Sequence, residues 1–207
     1  DIDDVPSQTP LIIKSVTTVA LQLIKRHRNI HYVEDTGRMP PSIMLSCHAG
    51  HAASPGMGLT DMVIRQARWT VRAINDAAKS NSLLRVHNPE FWDEMFTDRW
   101  PENQAQQLHY ARSLEALANG LEAAQTRGAS LEDLQEWLRD GFGSHAVTRS
   151  MLSFNERLGR EVQQQNHGFT PKGGLYVPSK PAIITGAAAA ALAPAIARAH
   201  TNMGERR

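Results

Sequence analysis

The chain has 207 residues, 41% of them hydrophobic, and its 22 Lys and Arg against 21 Asp and Glu give a formal net charge of +1. This length and apolar content suffice for one sizeable core, and the near-neutral charge excludes a strong general footprint for nucleic-acid binding. The single cysteine, Cys47, excludes an intramolecular disulfide framework and fits a reducing compartment, so we expect a cytoplasmic protein.

Neither end of the sequence predicts a membrane segment. The N-terminus is acidic and polar, which argues against a signal peptide. The most apolar segment, residues 182–199, is dominated by alanine and interrupted by Gly186 and Pro194, so it is too short and too weak to span a bilayer. We therefore expect no membrane partner.

The first predicted helix follows a linker of residues 1–8. Helix-period patterns dominate the chain and strand-like alternation is almost absent, which predicts an all-α helical bundle. Thr9 and Pro10 are predicted to cap and start the first helix, which runs to about Asn29. At 100° per residue, one side of this helix is apolar, and the opposite side is basic and predicted to face solvent. The apolar seam is Ile12, Val16, Val19, Leu23 and Ile30. The basic stripe is Lys14, Lys25 and Arg28.

Five more helices are predicted along the chain. The second and third helices cover about 41–53 and 60–80, and the fourth contains the run from Leu108 to Leu121. The fifth begins near Ser130 with a weak capping box, and the sixth is a long helix from Ser144 with an apolar seam from Val147 to Val162. Between the third and fourth helices, residues 88–101 concentrate four aromatic side chains, which are predicted to plug the bundle. The helical domain therefore covers residues 9–165, and a tail rich in Gly, Pro and Ala covers 166–207.

Lys25 and the start of the second helix together predict a phosphate site. A helix N-terminus offers backbone N–H donors and the positive end of the helix dipole, which suits a phosphate. Ser42 adds a hydroxyl at this helix start, and Lys25 adds a positive charge from the preceding helix. The alternative interpretation is that the basic stripe is only the solvated face of a surface helix.

These segments resemble the C-terminal helical half of bacterial cGAS/DncV-like nucleotidyltransferases (CD-NTases), the oligonucleotide second-messenger synthases of CBASS anti-phage signalling. The resemblance spans about residues 8–165 and rests on Leu-Ile-Lys-Arg-His-Arg-Asn at 23–29, Pro-Ser-Ile at 41–43, and Asn88-Pro89 leading into Phe-Thr-Asp-Arg-Trp-Pro at 96–101. It implies a nucleotide-binding protein that takes part in joining nucleoside triphosphates with release of pyrophosphate.

The resemblance also implies roles for three residues. Lys25 matches the lysine that contacts the donor triphosphate, and Ser42 matches the serine at the next helix start that also reaches phosphate. Arg28, within the basic run after the lysine, is the third nucleotide-binding candidate. The chain departs from the family pattern at Asn29, where Asp is common, and at Pro41, where an apolar residue is more usual.

The catalytic carboxylates of the resembled enzymes are not recognisable in this sequence. Those enzymes carry a Gly-Ser turn followed by paired Asp residues, because two magnesium ions must bridge the attacking hydroxyl and the triphosphate. Asp1 and Asp3 have the spacing of such a pair, but no strand or Gly-Ser turn precedes them, so we interpret them as a solvated acidic terminus. We expect Mg²⁺ to be held by a missing N-terminal catalytic half, and the fragment alone to be inactive.

The histidines and tryptophans are predicted to have structural rather than functional roles. His27 and His31 are four apart, and Cys47, His48 and His51 share one helix, but nothing in the sequence brings the two groups together, so no metal site is predicted. The four tryptophans could stack on a base, and we expect them to be core residues.

Two other functional hypotheses remain beside the synthase. The first is a non-catalytic helical protein-interaction module, in which Lys25 and Arg28 are solvated and the tail recruits a partner. The second is an RNA-responsive enzyme similar to oligoadenylate synthases, which a net charge of +1 does not favour. Residues 198–204 resemble the tails of synthases whose genes travel with ubiquitin-transfer-like accessory proteins, which implies that such a regulatory protein docks on or conjugates the tail.

Overall fold

The computed structural model describes residues 14–32, 37–127, 131–164, 168–169 and 175–176. Within these ranges the chain forms six helices and one short antiparallel strand pair: α1 (Val16–His31), α2 (Ser42–Ala52), α3 (Leu59–Lys79), α4 (Gln104–Arg127), α5 (Leu131–Phe142), α6 (Ser144–Gln163), β1 (Gly168–Phe169) and β2 (Leu175–Tyr176). The all-α class is therefore confirmed. The linker 1–8 and most of the tail lie outside the described residues, so the domain boundaries stay a prediction.

Helix α1 begins later than the sequence pattern predicts. Ser15 is its N-cap, with an extended backbone and a hydroxyl oxygen that accepts a hydrogen bond from the Thr18 N–H at 3.2 Å. Lys14 and Ser15 are not helical, so the prediction of one continuous helix from Pro10 to about Asn29 is wrong, and Thr9 and Pro10 themselves lie outside the described residues. A serine that caps the third residue after it is a stronger start signal than the Thr-Pro pair.

Helix α3 is the centre of the bundle and packs against α1, α2 and α4. Its predicted apolar face is confirmed, since Val63, Ala67, Val71 and Ile74 are all buried. The core that surrounds this face draws on every one of the six helices and includes Ala20, Met44, Leu45, Met62, Tyr110, Leu114, Leu117, Phe142 and Val147.

The predicted orientation of α1 is wrong. Its buried residues are Ala20, Ile24, His27 and Arg28, while Val16, Val19, Leu23 and Ile30 of the predicted seam are only partly buried. The reason is that α1 packs against three helices, α2, α3 and α5, so that more than one side of it is covered. Arg28, expected on the solvent side, is only 5% exposed.

The aromatic segment between α3 and α4 fills the core with only part of its side chains. Trp100 is 1% exposed and makes an edge-to-face contact with Tyr110, and Phe96 packs against the core. Phe91 and Trp92, by contrast, are 60% and 73% exposed, so the prediction that the whole segment plugs the bundle is wrong for these two residues.

Helices α5 and α6 form the last layer, and α5 packs on both α1 and α6. The apolar seam of α6 is buried at Val147 and partly buried at Met151, but Phe154 and Val162 are exposed. No helix within the described ranges is both long enough and apolar enough to cross a membrane, and residues 182–199 lie outside those ranges.

Candidate phosphate-binding site

The three site residues predicted from the sequence lie together where α1 meets the start of α2. An Arg28 Nη1–H donates to the Ser42 hydroxyl oxygen at 3.1 Å. The Lys25 ammonium donates to the hydroxyl oxygen of Ser46, one turn further along α2, at 3.1 Å. Ser46 is the one member of this cluster that sequence reasoning missed, and its signal is the four-residue spacing from Ser42 on a helix.

The N-terminus of α2 presents backbone donors to this cluster. Pro41 is the N-cap, with an extended backbone and no side-chain capping bond, and Leu45 donates the first hydrogen bond of the helix back to the Pro41 carbonyl. The N–H groups of residues 42–44 therefore have no acceptor within the helix. The first turn also lacks an acidic side chain, so nothing there opposes an anion.

Arg28 brings a buried positive charge beneath the helix start. Besides Ser42, its guanidinium donates to the Pro40 carbonyl at 2.6 Å and, through Nε and Nη2, to the Asn29 side-chain oxygen at 3.1 and 2.8 Å. All of these acceptors are neutral. Desolvation is the main cause that lowers the pKa of Arg28, opposed by the nearby phenols of Tyr110 and Tyr32, but an arginine stays charged in proteins.

Asn29 has a clear physical role in this arrangement. An Asp, the residue that is common here in the resembled family, would form an ion pair with Arg28, whereas the Asn29 amide orients the guanidinium without cancelling its charge. Within the described ranges the acceptors of this buried cation are neutral, an arrangement that favours an anionic ligand nearby.

Lys25 lies half-buried between the two helices. Burial and, secondarily, the charge of Arg28 lower the pKa of Lys25. The hydroxyl of Ser46 in turn donates to the Ser42 carbonyl at 2.9 Å. Two cations, one helix N-terminus and two hydroxyls thus converge on one patch, which is the chemistry of a phosphate site.

A shallow groove of about 390 Å³ begins at this patch. Ser46 is part of its lining, together with apolar and weakly polar side chains from α2 and from the segment before α4, namely Ile43, Cys47, His51, Pro89 and Phe96. A molecule held by its phosphates at α2 would therefore find an apolar surface beside it.

The histidines near the site have structural roles. His27 lies among α1, α4 and α5, with Nδ1 at 3.0 Å from the Gly141 carbonyl and Nε2 at 3.1 Å from the Ser113 hydroxyl. Because a carbonyl only accepts, Nδ1 carries the proton. Burial and the neighbouring His31 lower the pKa of His27 to about 4. Throughout the described part of the chain, no group of three or more His, Cys, Asp or Glu residues could hold a metal ion.

The chain is similar in sequence and structure to known proteins. All 207 residues align at 70% identity with the cyclic dinucleotide synthase CdnG of Bradyrhizobium diazoefficiens. A solved structure of the B. diazoefficiens CD-NTase CdnG in complex with GTP is 72% identical, with a TM-score of 0.66 over 73% of this chain and 43% of that chain. The chain is homologous to part of a CD-NTase. No family model matches it.

The CD-NTase resemblance drawn from the helix motifs is thereby confirmed, together with the helical class of this part. The chain spans about half the length of the curated relative, 49%. The individual roles of Lys25, Ser42 and Arg28 stay a prediction, and what the geometry adds is that all three lie at one helix start.

Proposed function

We propose that the chain is the helical half of an oligonucleotide second-messenger synthase, which joins nucleoside triphosphates with release of pyrophosphate in anti-phage defence, and that this half binds the triphosphate. The observation that carries the proposal is the convergence of Lys25 and Arg28 on the N-terminus of α2. It is supported by the 70% identity with a cyclic dinucleotide synthase and by the similar structure that contains GTP.

Each of the three residues has a defined part in this proposal. Lys25 places an ammonium group beside the phosphates, and Ser42 offers its hydroxyl and its backbone N–H. Arg28 donates to the Ser42 oxygen, so the hydroxyl proton points elsewhere and can be donated to a phosphate oxygen. Phosphoryl transfer depends mainly on such positioning and charge neutralisation.

No group of three or more His, Cys, Asp or Glu residues in the described part of the chain could hold a metal ion. The proposal assigns Mg²⁺ to carboxylates of an N-terminal catalytic half, in the part of the relative that this chain does not span. When bound there, the metal would neutralise the triphosphate charge. The nucleoside triphosphates, ATP or others, would lie between the two halves.

The same proposal places the protein in the cytoplasm and makes the tail, residues 166–207, a handle for an accessory regulatory protein. Removing these residues should abolish binding of such an accessory protein while GTP affinity remains. Unchanged accessory binding after the deletion would refute this part of the proposal alone.

A binding experiment with Lys25→Ala tests the central proposal in the natural full-length protein. Loss of one charge-assisted phosphate contact should weaken GTP binding about tenfold or more. Lys79→Ala is the matched control, because Lys79 is an exposed lysine at the end of α3 that pairs with the exposed Asp76. The interaction-module hypothesis predicts instead that both variants bind GTP, or fail to bind it, equally.

A further inference from the structure

We infer that Ser46 is a positioning residue of the phosphate site, which holds the Lys25 ammonium over the N-terminus of α2 before the nucleotide arrives. This inference rests on the proposed function and adds to it a residue outside the motif of Lys25, Arg28 and Ser42. Two hydrogen bonds of Ser46 define its role.

The hydroxyl of Ser46 is fixed by its own helix. Its single proton is donated to the Ser42 carbonyl four residues earlier, at 2.9 Å. The lone pairs of the same oxygen are then directed away from that carbonyl, and one of them accepts the Lys25 Nζ–H at 3.1 Å. Ser46 therefore acts as an acceptor, and donating to a phosphate would require it to break the bond with its own helix.

This arrangement leaves Lys25 prepared for an anion. An ammonium has three N–H donors, so the bond with Ser46 leaves two for phosphate oxygens. Lysine has a long side chain with high conformational entropy, and a contact that already holds it in the unliganded protein lowers the entropy lost on binding.

A neutral acceptor also suits the electrostatics of this position. Burial is the main cause that lowers the pKa of Lys25, and the charge of the nearby Arg28 lowers it further. The Ser46 oxygen stabilises the ammonium without neutralising it, as a carboxylate would. An Asp at this position would hold Lys25 as well but would repel the phosphates.

The test compares GTP and tripolyphosphate binding in full-length variants. Ser46→Ala should weaken the affinity for both about threefold to tenfold, because both ligands carry the phosphates that Lys25 is proposed to meet. Ser46→Thr should restore the affinity, since threonine retains the hydroxyl and its bond to the preceding turn. Thr126→Val is the matched control: the Thr126 hydroxyl makes the same four-residue bond, to the Glu122 carbonyl at 2.9 Å, on α4.

The decisive measurement is Ser46→Ala in the Lys25→Ala background. A residue that acts through Lys25 has no further effect once the lysine is gone, so the double variant should bind like Lys25→Ala alone. An equal loss in both backgrounds, or a Ser46→Ala variant that binds like the Thr126→Val control, would overturn the inference. If Lys25→Ala itself leaves GTP and tripolyphosphate binding unchanged, the proposed function fails instead.

Discussion

Two buried histidines make the stability of the fold depend on pH. His27 bonds to Gly141 and Ser113, and His48 donates from Nδ1 to the Thr70 hydroxyl at 3.1 Å. The Thr70 proton is itself donated to the Gln66 carbonyl, which fixes the direction of the bond from His48. Burial is the main cause that lowers the pKa of each imidazole to about 4.

We expect the protein to lose stability between pH 6.5 and pH 4. The pKa of each histidine is lower in the folded than in the unfolded protein, so the unfolded chain binds more protons in this window and the free energy of unfolding falls as the pH decreases below 6.5. Protonation of each histidine can lower the free energy of unfolding by up to about 3 kcal/mol. Urea unfolding at pH 7.5 and pH 5 measures the difference in the free energy of unfolding between the two pH values. His27→Asn and His48→Asn should each reduce this difference. A variant that keeps the full wild-type pH dependence would contradict the role of its histidine.

The burial of Arg28 and the role of Ser46 could not be predicted from the sequence. The sequence places Lys25, Arg28 and Ser42 near one helix start because all three depend on local signals, namely a basic run and a helix N-terminus. The burial of Arg28 depends on the contacts of α1 with three neighbouring helices, which the periodicity of a single helix does not contain. Ser46 acquires its role only from the lysine of another helix.

At the scale of elements, the α4–α5 contact depends on the absence of a side chain at Gly120. A Cβ built on Gly120 would lie 2.6 Å from Cε2 and 2.7 Å from Nε1 of Trp137, closer than carbon atoms approach. Gly120→Ala should therefore displace the Trp137 ring and cost about 1–3 kcal/mol, less the gain of up to about 1 kcal/mol in helix propensity.

Gly159→Ala provides the control for this substitution. Gly159 lies within α6, and a Cβ added there would meet nothing within 4 Å, so alanine should stabilise the helix by about 0.5–1 kcal/mol. Chemical unfolding of both variants measures the two effects. Equal changes of the same sign at positions 120 and 159 would contradict the close approach of the Trp137 ring to Gly120.

The segment between α3 and α4 gives a second test at this scale. Trp100→Ala should cost about 3–5 kcal/mol, because Trp100 is 1% exposed and packs edge-to-face on Tyr110. Trp92→Ala should change the free energy of unfolding by no more than about 0.5 kcal/mol, since Trp92 is 73% exposed and its ring stacks on the partly exposed His87. Similar losses for both tryptophans in denaturant titrations would contradict the different burial of the two.

Long elements are the ones that a single sequence predicts well. Helix α3 has 21 residues and one continuous apolar face, so its bounds and its buried side agree with the sequence pattern. For α1 the prediction is wrong at two points. Ser15 is the N-cap, and the buried side differs from the predicted one because more than one side of the helix packs against neighbours. The segment after α3 has no period, so Trp100 and Trp92 cannot be separated by pattern alone.

At the scale of the whole molecule, binding and catalysis should be separable. The described residues supply cations and a helix N-terminus but no carboxylate cluster, and the chain spans 49% of a cyclic dinucleotide synthase. We therefore expect the reading frame upstream of Asp1 to encode a Gly-Ser turn followed by paired Asp residues. A natural protein without them would refute the synthase and favour the helical interaction module.

Variants of the full-length protein should then divide into two kinds. Replacing the paired upstream Asp residues by Asn should abolish the release of pyrophosphate from nucleoside triphosphates with Mg²⁺, because the carboxylates proposed to hold the metal are lost while the proposed phosphate site remains. Lys25→Ala should instead raise the nucleotide concentration needed for half-maximal rate, with turnover remaining at saturation, because the lysine binds the phosphates already in the ground state. The isolated chain should form no product at any nucleotide concentration, and product from the isolated chain would show that the catalytic groups lie within these 207 residues.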